Sequence, residues 1–331
     1  MITNIHILKG GDDDMSMDNI ITIPRYDKVE MLVNNPPRKT LNQIKAASDA
    51  THIINGVFFS TGTLALFDNL KVDGKVIIDN RGRTHWGYGW SNPGTFDIFT
   101  DPTANIDNFF LTQFPIIRSG QLVNMQQYTQ FGGSRGRSAI GVRSDGALVL
   151  YCSADGTHGA ITMATLQRRM VDAGCVSALN LDGGGSSQLR SPKLNISTTR
   201  IVPHFILVWE TPANAVWIFL NGERVILDVP AQIINGRTMI PVRGLLERMG
   251  AKVTWVAPDV YVRHGDANIM LTINSTIASV NGNQVKLDQP ATIINGRTLV
   301  PLRFLTENIP GATIRWDEAR RSVHVTTCLK Q

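Results

Sequence analysis

The sequence predicts an α+β protein in two parts. Residues 1–212 read as a mixed, sheet-rich domain with packed helices, and residues 213–331 as a smaller tandem-repeat α+β domain. Three observations carry this reading. Short apolar runs alternate with glycine- and asparagine-containing turns through the first part, the mark of strands. The stretch from Met163 to Ala173 has helical spacing, with Gly174 able to stop it. From Asn221 onward a motif recurs at an offset of 60 residues, the sign of a duplicated supersecondary unit.

A chain of 331 residues can bury two cores, and 43% hydrophobic with 18% charged residues is a globular composition. Net charge is +5: up to Pro212 there are 19 basic and 18 acidic residues, and beyond it 13 and 9. A surplus this small suits anionic surfaces such as teichoic acid or phospholipid headgroups, and equally suits ordinary solubility. No arginine-lysine run interleaved with aromatics points to nucleic acid. Cys152, Cys175 and Cys328 make neither a disulfide framework nor a zinc spacing. Cys152 and Cys175 lie in apolar surroundings and are expected as buried thiols. The N-terminus lacks the basic region and apolar core of a signal peptide, and no apolar run is long enough to cross a bilayer. Action outside a cell then needs another release route, such as phage lysis or a virion.

Taken in order, Gly10-Gly11-Asp12-Asp13-Asp14 reads as a solvated turn, or else a cation-binding loop. Leu41, Ile44 and Ala47 have helical spacing. Ile53-Ile54-Asn55-Gly56-Val57-Phe58-Phe59 reads as a strand running into a bend, where the Asn55 amide can bond a ligand or hold the loop. His85-Trp86-Gly87-Tyr88-Gly89-Trp90 crowds aromatics between glycines, as a sugar-stacking platform or as a hydrophobic brace. Phe114 to Val123 reads as strand, turn and strand, with Arg118 at the turn, where it can meet an anion or a surface carboxylate. Phe131 to Ser138 is rich in glycine and arginine, and Arg137 can offer charge-assisted donors to phosphate.

The stretch from Arg137 to Ser187 organises the chain. Two of its strand ends deliver carboxylates into polar loops: Asp155 after Leu148 to Cys152, and Asp182 after Ala178 to Leu181. Gly183, Gly184 and Gly185 leave little side chain to cover Asp182, and their amides can cradle an anion. Thr162 suits a helix cap, while Ile161, Leu166, Met170 and Ala173 put an apolar side against a sheet. Ile201 to Trp209 forms a closing strand in which His204 faces either a neighbour or a ligand.

In the second part, Asn221-Gly222, Asp228, Pro230, Asn235-Gly236-Arg237-Thr238, Pro241 and Arg243 recur 60 residues later, and Trp255 recurs as Trp316 after 61. Each unit predicts a hairpin, a strand, a helix (Val242 to Met249, Leu302 to Asn308) and another strand, the two copies sharing one core. The repeated Arg-Thr and Pro-x-Arg read as staples for turns and carboxylates.

Most of residues 20 to 210 resemble the phosphodiester glycosidase family, that of the mannose-6-phosphate uncovering enzyme. The resemblance rests on Asn55-Gly56 with Phe58-Phe59, Arg137-Ser138-Ala139-Ile140-Gly141, Asp145-Gly146, Asp155-Gly156, Thr162, Gly174-Cys175, Asn180-Leu181-Asp182-Gly183-Gly184-Gly185-Ser186-Ser187 and Arg200-Ile201-Val202-Pro203-His204. Val57 departs from a usual small residue, and Thr165 from an acidic one. The repeat resembles the copper amine oxidase N-terminal domain, a stalk of exported cell-surface proteins in Gram-positive bacteria; it implies no copper, because the oxidase core is absent.

The resemblance implies hydrolysis of the sugar C1–oxygen bond of a sugar-1-phosphodiester, with sugar and phosphate monoester released; the sugar is left open, N-acetylglucosamine being that of the uncovering enzyme. Asp182 is then the first choice for base, nucleophile or stabiliser of the developing cation, with Asp155 its partner. Arg118 and Arg137 would hold phosphate, and Asn55, Ser186 and His204 would orient hydroxyls or water. No cofactor is required, although calcium between Asp155 and Asp182 is an alternative occupant. The implied partner is a sugar-phosphate diester or envelope glycan, with residues 213–331 available for cell-wall association or homo-oligomerisation. The implied setting is extracellular, cell-envelope or phage-associated, with a cytoplasmic stage before release compatible. Two rival accounts are phosphodiesterase action at phosphorus and a non-catalytic carbohydrate-binding or structural protein of an envelope or virion.

Overall fold

The computed structural model describes residues 18–34, 36, 38–79, 87–91, 97–99, 105–112, 114–126, 128, 132–156 and 159–327. They form two compact units, divided between Glu210 and Thr211. Asp12 to Asp14, His85, Trp86 and Cys328 lie outside the described residues.

The first unit is built on a six-stranded antiparallel sheet. Its order is Ile20–Ile23, Leu148–Ser153, Arg137–Arg143, Cys175–Asn180, Pro115–Arg118 and Gln121–Leu122. Its central strands are apolar on both faces because both faces are covered. Val149 and Tyr151 pack with Leu166 and Met170 of the helix Met163–Asp172. The alternate residues Leu148, Leu150 and Cys152 pack instead with Ile54, Ile206 and Val208. Those three belong to a second sheet, ordered Asn195–Ile196, Leu189–Arg190, His52–Asn55, His204–Glu210 and Tyr26–Val33. As predicted, Thr162 caps the helix: its Oγ1 accepts from the Thr165 amide at 3.1 Å. Gly174, at φ +81°, ends it.

A third sheet runs Lys75–Ile78, Leu70–Val72, Asn108–Leu111, Gly87–Trp90 and Asp97–Phe99. Tyr88 and Trp90 point into the core, 0% and 1% exposed. The Tyr88 hydroxyl lies 2.6 Å from Ser177 Oγ, and Trp90 Nε1 donates to the Val29 carbonyl at 3.0 Å. These two aromatics are therefore a brace and not a sugar platform. Cys152 and Cys175 are free buried thiols, and burial pushes both up to about 12.

The second unit packs an eight-stranded and a five-stranded sheet around a large apolar core, with a smaller cluster at Val229, Met239 and Leu299. Its Asn-Gly pairs at 221–222, 235–236, 281–282 and 295–296 all take positive φ at both residues, as two-residue hairpins require. Arg237–Pro241 pairs antiparallel with Arg297–Pro301, placing Met239 opposite Pro301, Ile240 opposite Val300 and Pro241 opposite Leu299. Ile240 and Val300, 60 apart, thus face one another, and a local two-fold axis passes between them. The repeated arginines are consequently crossed: Arg237 Nε donates to Asp288 Oδ2 at 2.9 Å, and Arg297 pairs with Asp228. The helix Leu302–Asn308 has its expected bounds, whereas the first-copy helix stops at Leu246 and tightens into a turn ending at Gly250, φ +86°.

Candidate active site

The strand Cys175–Asn180 carries the chain to Asp182, and cross-chain hydrogen bonds pin the exit. The Asp182 amide donates to the Gly56 carbonyl at 3.0 Å. Asn55 Nδ2 donates to the Asp182 carbonyl at 2.7 Å, while Asn55 Oδ1 accepts from Ser138 Oγ at 2.7 Å and from the Gln188 amide at 3.0 Å. Asn55 is fully buried, with both ends of its side chain engaged. Of its two sequence-level roles, it holds the loop.

Two of the three glycine amides expected to cradle an anion are engaged within the protein. The Gly183 amide donates to Asp182 Oδ1 at 3.0 Å, and the Gly184 amide donates to the Gly136 carbonyl at 2.7 Å. With those two donors committed within the protein, the glycines serve close approach. A Cβ on Gly183 would lie 2.9 Å from the Gly136 oxygen, and one on Gly185 would lie 3.0 Å from Arg200 Cζ. Gly184 takes φ +59° in a short 3-10 turn, Gly184–Ser186. Gly136 links this turn to the other carboxylate: its amide donates to Asp155 Oδ1 at 2.8 Å. Asp155 Oδ2 lies 3.7 Å from where a Gly184 Cβ would stand. Both carboxylates therefore border one turn, Asp182 half-buried and Asp155 exposed.

Burial raises Asp182 to about 6, against the lowering effects of its Ser186 hydrogen bond, the Gly183 amide and the Arg200 charge. Ser186 is fully buried and accepts from Arg200 Nη1 at 3.1 Å. Arg200, itself exposed, lies against Gly185, and its charge acts on Asp182. Sequence reasoning assigned it no role, although it opens the Arg-Ile-Val-Pro-His segment quoted for the family resemblance.

Of the two arginines expected to hold phosphate, Arg118 stands away from this turn, whereas Arg137 is buried near enough to Asp155 for that carboxylate's charge to act on it. Arg118 follows Ile117, which faces Ala178, and the Gly120 amide donates to the Val176 carbonyl at 2.7 Å. Val176 precedes Asp182 by six residues, or about 20 Å along an extended strand, so Arg118 stands at the opposite end of the sheet. Arg137 is 3% exposed; its Nε donates to the Ile161 carbonyl at 3.1 Å and its Nη2 to the Gly133 carbonyl at 3.0 Å. It fastens its own loop to the chain leading into the helix.

His204 is fully buried, with Nδ1 turned to the Gly56–Val57 bend. Its Nδ1 accepts from the Val57 amide at 3.2 Å, which assigns the proton to Nε2, and burial drives the ring down to about 3, leaving it neutral. A Cβ on Gly56 would come within 1.8 Å of that Nδ1. His204 Nε2, Asn180 Oδ1 and Ser187 Oγ are buried without a hydrogen-bond partner. Among the described residues, no group of three acidic, histidine or cysteine side chains could hold a metal ion.

Residues 48–209 match the phosphodiester glycosidase family. That segment contains Asn55, Asp155, Asp182, Ser186, Arg200 and His204, and the match supports a hydrolytic, glycan-related role for the first unit. Residues 219–325 match the copper amine oxidase N-terminal domain. The SPbeta prophage-derived uncharacterized protein YomE of Bacillus subtilis is 30% identical over 140 residues, covering 40% of this chain but only 17% of that protein. Two solved structures are similar at low identity. The catalytic domain of zebrafish N-acetylglucosamine-1-phosphodiester alpha-N-acetylglucosaminidase, auto-inhibited by its pro-peptide, aligns at 18% identity and TM-score 0.47, covering 55% of this chain and 73% of that one. A hypothetical protein from Synechocystis aligns at 14% and 0.46, covering 58% and 59%. Among the described residues no helix is long and apolar enough to cross a membrane.

Proposed function

We propose that the first unit hydrolyses sugar-1-phosphodiesters at the bond between C1 and the phosphate oxygen. The observation carrying this reading is the half-buried Asp182 in a polar turn that it shares with exposed Asp155 and Arg200. In the reaction the C1–O bond breaks and its electron pair leaves with the phosphate monoester. Water oxygen bonds to C1 and gives up a proton. Ionised Asp182 stabilises the positive charge developing on the sugar, and Asp155 takes the proton of the attacking water. Arg200 neutralises the departing phosphate, the part that sequence reasoning gave to Arg118 and Arg137. Because phosphate is already a good leaving group, a strong proton donor is not demanded of the site.

The second unit is proposed as a stalk that holds the enzyme at a cell envelope or virion. The prophage origin in the YomE name supports a phage setting, and the substrate would then be an envelope sugar phosphate. Calcium bridging the two carboxylates is the alternative to a metal-free reaction. The deciding experiment incubates the protein with an α-N-acetylglucosamine-1-phosphodiester in oxygen-18 water and identifies both products. A free reducing sugar and a phosphate monoester without label are expected, since attack at phosphorus would put the label in the phosphate. Sugar-1-phosphate as product assigns cleavage to phosphorus and overturns the reading. Binding without turnover makes the unit a carbohydrate-binding module.

A further inference from the structure

The second unit contains two pockets that obey its local two-fold axis. One, of about 340 Å³, is lined by Arg237, Asp288, Arg303, Glu307 and Trp316. The other, of about 760 Å³, is lined by Arg297, Asp228, Arg243, Glu247 and Trp255. Each residue of one set is the counterpart of a residue in the other, at the offset of 60 or 61 that relates the copies. The crossed pairs Arg237–Asp288 and Arg297–Asp228 build both walls from both copies, so neither pocket exists in one copy alone. Both volumes fall within the range of small-ligand sites.

Their chemistry is specific. Trp255 and Trp316 remain 41% and 38% exposed, although a core could have covered them. An indole face left open inside a concavity suits the C–H face of a pyranose ring, while guanidinium and carboxylate groups around it match hydroxyls as donors and acceptors. Cations exceed anions in both linings: Arg237, Lys286, Arg303 and Arg315 against Asp288 and Glu307, and Arg243, Arg248 and Arg297 against Asp228 and Glu247. The same sign appears in the whole second part, with 13 basic and 9 acidic residues after Pro212.

We propose that these two pockets, related by the repeat though unequal in size, are binding sites for the repeating unit of an anionic glycan, one bearing phosphate or carboxylate groups. Two like pockets fit a polymer that presents the same sugar at intervals, whereas a protein partner would offer different side chains to each. The polymer then binds with avidity beyond that of either site. This assignment goes beyond the proposed hydrolysis and does not depend on it.

The test uses the full chain carrying Asp182→Asn, so that hydrolysis cannot consume the probe and a failed glycosidase reading leaves the result interpretable. Four probes are used: Gram-positive walls bearing teichoic acid, the same walls stripped of phosphate polymer by acid, hyaluronate and chitin. Retention on teichoic-acid walls, on hyaluronate or on both is expected, the pattern telling phosphate from carboxylate recognition, with none on stripped walls or chitin. Trp255→Ala and Trp316→Ala should each weaken binding roughly tenfold through lost avidity, and the double variant by about 100-fold. Trp316→Phe, which keeps a stacking face and the fold, should retain binding. Equal retention on stripped walls or chitin overturns the anionic assignment. Binding indifferent to the double variant removes the pockets from it. No binding to any probe also overturns the proposal, and a dimer in light scattering that the tryptophan changes dissociate would reassign the pockets to protein association.

Discussion

Replacing Asp182 by Asn removes a charge while keeping the shape and an acceptor oxygen for Gly183 and Ser186. The rise of the carboxyl from 3.8 to about 6 corresponds to about 3 kcal/mol favouring its protonated form, at roughly 1.4 kcal/mol per tenfold change. The sign follows from the direction. Above pH 4 the unfolded chain releases this proton, whereas the folded protein keeps it until about pH 6, so the wild type loses stability as pH rises between those values and no more above them. Asn carries no such penalty. Asp182→Asn should therefore match wild type at pH 4 and exceed it at pH 8 by about 1–3 kcal/mol, the lower part of that range reflecting partial solvent access. For a unit of this size that is roughly a 5 °C rise in Tm. The same variant should lose at least about 100-fold in kcat on a sugar-1-phosphodiester, because the charge that faces the transition state is gone. Thermal melts at both pH values and product assays on the same preparation provide the measurement. Equal destabilisation at pH 4 and pH 8, or turnover within twofold of wild type, would refute the reasoning.

Four further outcomes are expected. In a pH–rate profile, kcat/KM of the wild type should fall as pH drops through about 6, since protonated Asp182 cannot stabilise positive charge. Arg200→Ala should lower kcat/KM by about 100-fold through lost phosphate neutralisation, whereas Arg118→Ala, at the far end of the sheet, should stay within about twofold in the same steady-state assay. Gly56→Ala should destabilise the first unit by about 3 kcal/mol in urea unfolding, because its methyl would meet the His204 ring at 1.8 Å. Turnover should survive dialysis against EDTA; loss restored by calcium would support the bridged-carboxylate alternative.

The position of Asp182, at a strand exit running into a glycine turn, was legible before any fold was known. A polar residue leaving an apolar strand into three glycines has few structural duties, and here it is half-buried and raised in pKa. The helix from Met163 and its Thr162 cap were equally legible, since a 3.6-residue period and a hydroxyl cap act within a few residues. Aromatic function was not legible. The Tyr88 and Trp90 rings present the same chemistry to a sugar and to a core, and what chose between them was the sheet covering them. Buried polar residues were ambiguous in the same way: Asn55 and His204 look like ligand groups in sequence, and in the fold Asn55 ties the Asp182 carbonyl while His204 Nδ1 accepts from the Val57 amide and its Nε2 has no partner among the described residues.

What the sequence determined by itself was set by short-range physics: alternation, turn chemistry, helix capping, the strand exit at Asp182 and the 60-residue duplication. What only the tertiary structure decided was which cation stands beside that carboxylate. Arg118, Arg137 and Arg200 carry the same charge and were indistinguishable as residues. Strand register sends the first to the other end of the sheet, carbonyls from two loops capture the second, and a glycine with no side chain lets the third lie over Ser186. The crossing of the repeated arginines onto the other copy's aspartates was likewise invisible, because it follows from Ile240 facing Val300 across a sheet and from nothing nearer in the chain.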